Sequence, residues 1–162
     1  MARQELNLLD DDARIWAFGI TPPLTEAQAA RLLAQVDDFA GRWSAHGAPV
    51  TSGRELRDGS FLIIAVDRRS ETSGCSIDRM FGLLRQFERE EQVSILDPDR
   101  VFYRGGDHSV RAMSRETFRE QGDGHTVVFD LLAERLGDVR GGAWERPAEA
   151  SWHARLFADR PE

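Results

Sequence analysis

Six apolar residues in a row, Phe61–Val66 (FLIIAV), constrain this chain more than any other stretch. The run falls far short of the roughly 18 residues of a membrane span. Bounded by Arg57-Asp58-Gly59-Ser60 before it and Asp67 after it, it reads as a buried strand. Asp58-Gly59 is a hairpin signal, so residues 49–56 are expected to be the strand before it. The apolarity of FLIIAV demands a central position in a sheet.

The other elements follow from spacing. Residues 14–20 (RIWAFGI) form a short apolar strand ended by Thr21-Pro22-Pro23. Thr25 can cap a helix in which Leu32, Leu33, Val36, Phe39, Ala40 and Trp43 recur at three- and four-residue intervals, with Gly47 as stop signal. A second helix is expected from about Cys75 to Glu91, with Ile77, Met80, Phe81, Leu84 and Phe87 on its apolar face. After a turn at Leu96-Asp97-Pro98-Asp99, residues 101–104 form a strand. The order is β-α-β-β-α-β, the ferredoxin-like pattern of an α+β protein. It predicts an antiparallel sheet with strand order four-one-three-two and both helices on one face. A single domain over 1–162 is expected, with residues 1–12 polar and loose, a core over 14–104 and a C-terminal α/β extension over 105–157. The extension is read as a strand near 110–113, a helix over 126–136, and SWHARLF as either strand or helix.

Composition narrows the function. With 41% hydrophobic and 30% charged residues, the chain has the make-up of a soluble globular protein. No secretory signal opens it, and a lone cysteine cannot form an intramolecular disulfide, so a cytoplasmic location without membrane contact is expected. A net charge of −7 argues against nucleic acid as a partner. All 21 basic residues are arginine, which excludes Schiff-base chemistry and any phosphate loop that needs lysine. No paired-cysteine or HExxH spacing offers a metal site, and no cofactor motif is present, so neither metal nor cofactor is expected.

The cysteine lies in Ser73-Gly74-Cys75-Ser76-Ile77-Asp78, between FLIIAV and the second helix. In a ferredoxin-like sheet this stretch shares one rim with Trp43-Ser44-Ala45-His46-Gly47, with Arg104-Gly105-Gly106-Asp107-His108 and with Arg14. At a helix N-terminus the free N–H groups favour an anion and lower a thiol's pKa. Cys75 is therefore the candidate nucleophile, His46 the candidate general base and Asp78 the candidate orienting carboxylate. Gly74, Ser76, Arg79, Arg104 and His108 are candidate ligand-binding residues. The plainer alternatives are a packed, inert cysteine, a histidine complementing a helix C-terminus, and a first-turn aspartate matching the helix dipole. His125 leads out of a Gly-Asp-Gly turn, and His153 has the setting of a packed aromatic partner.

Trp43-x-x-His46-Gly47, Ser73-Gly74-Cys75-Ser76-Ile77-Asp78, Asp99-Arg100 and Ser151-Trp152-His153 together resemble a family of small bacterial proteins with no assigned activity. The resemblance covers about residues 14–157, and SGCSID is its most specific element. Some of that family carry the label of an ABC transporter ATPase, which a chain with no phosphate loop and no lysine does not support. Two functions are expected. One is a thiol-dependent enzyme acting through Cys75 on a small polar substrate. The other is a non-catalytic module that binds an anionic ligand or forms a homodimer.

Overall fold

The structure is a computed structural model and describes residues 6–158. It is α+β, with alternating helices and antiparallel sheets, and it divides into two compact units. The first holds residues 6–96 and Ala133–Asp138; the second holds Asp97–Leu132 and residues 139–158.

In the first unit, β1 (Arg14–Gly19), α1 (Glu26–Gly41), β2 (Ser44–Ala45), β3 (Ala48–Pro49), β4 (Ser52–Arg57), β5 (Phe61–Val66) and α2 (Gly74–Glu91) follow in order. The main sheet has the order β1-β5-β4, all antiparallel, so FLIIAV is the central strand. All six of its residues are buried, which is why its apolar pattern does not alternate. Leu62, Ile64 and Val66 pack with Leu32 and Val36 of α1 and with Met80, Leu84 and Phe87 of α2, which puts both helices on one face. The β4–β5 turn has Asp58 at φ 55° and Gly59 at φ 64°, the two left-handed residues of a type I′ hairpin. Arg14, Ser52 and Val66 stand side by side at one end of the sheet, as the antiparallel order requires.

Both helix starts are built by local hydrogen bonding. Thr25 and Gln28 form a reciprocal capping box at α1, and Ser73 and Ser76 form one at α2. At its other end α1 stops earlier than its apolar spacing suggests. It ends at Gly41, and Trp43 is buried from the segment that follows. Within residues 6–12 the chain is held in place: a 3-10 turn spans Leu6–Leu8 and Leu9 is buried. Residues 1–5 of the stretch expected to be loose lie outside the described residues.

The expected fourth strand does not join this sheet. β6 (Arg100–Arg104) belongs to the second unit, where a sheet of order β7-β6-β8-β9 is formed with β7 (Val110–Ser114), β8 (Val127–Phe129) and β9 (Glu145–Pro147). The physical reason is visible on β1. The edge that a fourth strand would need is taken by Arg135, which bridges Arg14, by the Ile15 N–H donating to the Glu134 carbonyl, and by a bridge between Thr21 and Ser94. Val101 of β6 is instead buried with Phe118, Val128, Ala148 and Leu156. The expected helix over 126–136 is also absent. Val127-Val128-Phe129 is a strand, and Asp130 ends it by accepting the Leu132 N–H on its side chain. The helix of this region is α3 (Arg115–Gln121), capped by Ser114. SWHARLF is a 3-10 turn, Trp152–Ala154, followed by α4 (Arg155–Ala158).

Candidate functional site

The loop from β5 to α2 is pinned before the helix begins. The Asp67 N–H donates to the Thr51 carbonyl at 2.9 Å, and the Thr51 N–H donates to Ser70 Oγ at 2.9 Å. Asp67 also accepts two bonds from the Arg69 guanidinium, which holds its carboxyl below the usual carboxylate range. Arg69 is thereby neutralised, and Arg68 lies 3.8 Å from Asp12. Neither remains as free positive charge for the thiol.

Ser73 then caps α2. Its Oγ accepts the Ser76 N–H, Ser76 Oγ accepts the Ser73 N–H, and the Ile77 N–H donates to the Ser73 carbonyl. Among the described residues the Gly74 and Cys75 N–H groups have no acceptor. They are the exposed donors of an 18-residue helix, where its dipole is positive.

Beside this start lies a cavity of ≈ 290 Å³. From α2, Ser76, Arg79 and Leu83 line it; 3.6 residues per turn gathers these three into a sector of about 60°. From the end of α1 and the chain beyond it come Asp38, Arg42 and Ser44. Phe39 and Trp43 supply its aromatic wall, their ring centroids 4.9 Å apart. Asp38 is ion-paired with Arg42. Arg79 has no carboxylate or carbonyl partner among the described residues, so the lining carries one net positive charge, at Arg79.

The predicted catalytic residues stand around this cavity rather than in its wall. Cys75 is exposed and one helical turn before Arg79, about 40° from it around the axis. Asp78 is exposed and about 100° from Arg79, on the side away from Ser76 and Leu83. His46 is exposed at the tip of the β2–β3 hairpin. With Gly47 it forms a type I′ turn, φ 53° and 80°. No hydrogen bond joins His46 to Cys75 or Asp78. The two segments themselves do border the same cavity, through Trp43 and Ser44 on one side and Ser76 and Arg79 on the other.

Arg104 and His108 belong to the second unit, and the topological reason for placing them at the rim left with β6. Arg104 Nε donates to Glu145 at 2.7 Å, its Nη1 donates to the His108 carbonyl at 2.9 Å, and its guanidinium stacks on Phe129. His108, at φ 66°, closes the β6–β7 turn. Both line an open groove of ≈ 510 Å³ with Arg111 and His125. Its charges are largely spent: Asp107 lies 3.3 Å from Arg111, and bonds from Ser109, reinforced by Arg111, push its carboxyl down to about 2.

Sequence reasoning missed Asp38, Phe39, Arg42 and Leu83 as cavity residues. The available signal was the four-residue spacing of Phe39 with Trp43 and of Arg79 with Leu83, which reads equally as core. His153, expected as a packed aromatic partner, is buried with its ring stacked on Trp152; its Nδ1 contact with Ser151 Oγ, at 2.7 Å, was missed. No group of acidic, cysteine or histidine residues among the described residues could hold a metal ion, and no described helix is long and apolar enough to cross a membrane. The chain matches no family model, no curated protein and no solved structure.

Proposed function

We propose that the first unit binds a small anionic ligand in the cavity between the end of α1 and the start of α2. The observation that carries this reading is Arg79: a guanidinium lining a cavity, with no carboxylate to neutralise it. A guanidinium presents paired N–H donors that match a carboxylate or phosphate. The positive end of α2, with the N–H groups of Gly74 and Cys75 open, adds to the same potential. Calorimetric titration with acetate and with inorganic phosphate tests it. Arg79→Met is expected to weaken binding of whichever anion binds by about tenfold or more, a charge-assisted pair being lost. Arg104→Met, in the second unit, is expected to leave it unchanged. Equal affinity in the native protein and Arg79→Met would remove the reading.

A second reading, thiol chemistry at Cys75, is favoured by one observation: the thiol is exposed one turn from the unpaired Arg79. A thiolate there would be stabilised by the helix N–H groups and by Arg79. Alkylation by iodoacetamide, followed against pH, measures this. Alkylation faster than that of a free thiol at neutral pH, slowed in Arg79→Met, is the expected result. Alkylation with an ordinary thiol profile leaves Cys75 as a surface residue and the binding function alone.

A further inference from the structure

We infer that the ligand of this cavity is a monocarboxylate with a flat apolar body, not a phosphate ester or an inorganic anion. The inference rests on reading the cavity as an anion site and adds to it what the anion must look like.

Charge sets the first limit. Asp38 already neutralises Arg42, so Arg79 is the single uncompensated cation of the lining. A monoanion balances it. A phosphate monoester, carrying close to two charges at neutral pH, would exceed that balance by about one. The wall sets the second limit. Phe39 and Leu83, at the margin of the hydrophobic core, present aromatic and aliphatic surface beside the guanidinium, backed by the buried Trp43. A hydrated inorganic ion would gain nothing from that surface. An apolar body would bury area against it, at about 25 cal/mol per Å². Size sets the third. A volume of ≈ 290 Å³ lies at the lower end of small-molecule sites, suited to a single ring with a short acid arm. Phe39, partly exposed and tilted 46° against the buried Trp43 ring, is the aromatic surface that a planar group can meet. The carboxylate then sits on Arg79 and the ring lies toward Phe39 and Leu83.

Titration calorimetry with phenylacetate, acetate, inorganic phosphate and phenethylamine tests this on the full chain. Phenylacetate is expected to bind tighter than acetate or phosphate by a factor on the order of ten or more, and phenethylamine not to bind. Phe39→Ala is expected to bring phenylacetate down to the level of acetate without changing acetate itself. Leu83→Ala, on the other helix, does the same job should Phe39→Ala fail to fold. Phosphate or acetate binding as tightly as phenylacetate, with Arg79→Met still weakening it by about tenfold or more, would overturn this inference and leave the anion site standing. No binding of any of the three anions, or binding indifferent to Arg79→Met, would overturn both.

Discussion

The first unit is organised around a six-residue strand buried along its whole length and two helices of 16 and 18 residues. The second has strands of five, five, three and three residues, helices of seven and four, and 3-10 turns. One unit is held by repeated apolar contacts between long elements. The other has a smaller apolar cluster around Phe118 and adds single side chains to it: Arg104 clamped between Glu145 and Phe129, the Trp144 indole donating to the Asp130 carbonyl, and a buried histidine under Trp152. The arginines cut across this division. Arg31 and Arg54 are ion-paired with Glu91 and Asp37 in the first unit, while Arg115 in the second has no carboxylate partner among the described residues and lies over the Trp152 ring. What sets Arg79 apart is its place on a cavity wall, not the length of its helix.

Three measurements would sharpen or break this contrast, beginning with the largest effect. Phe87 is fully buried between α2 and the sheet. Phe87→Ala is expected to cost about 3–5 kcal/mol in chemical denaturation, the loss of a packed aromatic plus the cavity left behind. A cost below about 1 kcal/mol would mean that the first unit does not depend on this packing.

The next effect belongs to His153. Burial, with the Arg115 charge adding to it, lowers its pKa from 6.5 to about 4. The folded protein keeps the ring neutral while the unfolded chain takes up a proton. Stability is therefore full above pH 6.5 and falls as pH drops from 6.5 towards 4, by about 3 kcal/mol in all. Below pH 4 both states are protonated at this site and it contributes no further slope. Denaturation midpoints across pH 4–7 measure it, and His153→Phe is expected to remove this component of the slope. An unchanged slope in the variant would assign the acid sensitivity to other groups.

The smallest effect is local. Ser73→Ala is expected to cost about 1 kcal/mol by removing the α2 cap, and Ser73→Gly only a few tenths. If both cost nothing, packing alone fixes the start of α2. The cap would then be no support for the cavity residues Ser76 and Arg79.

Much of the first unit was legible because its signals are local and redundant. FLIIAV, the Asp58-Gly59 turn, the Thr25 cap and the α2 periodicity each specify an element within a few residues. Antiparallel order then carried Arg14, the start of β4 and the end of β5 to one end of the sheet. The pattern misled at residues 101–104. A strand's sequence states that it needs partners but not which sheet provides them. Val127-Val128-Phe129 is apolar at a length where helix and strand look alike. The type I′ turn at His46 was hidden for another reason. A histidine with positive φ carries no mark in the sequence, and Gly47 was read as the end of a helix rather than as half of a turn.

By itself, the amino-acid sequence determined the central strand, both long helices, the Thr25 cap and the arginine-only basic set that excludes lysine chemistry. Those properties depend on residue type and short-range spacing. Tertiary structure alone decided that β6 would pair away from β1, because residues 134–135 occupy that edge. It also decided that Arg79 stays unpaired beside a cavity. A guanidinium reaches several ångströms from its backbone, and whether a carboxylate waits there depends on residues as distant as Glu145 is from Arg104. Arg79 meets none, and sequence spacing cannot report that vacancy.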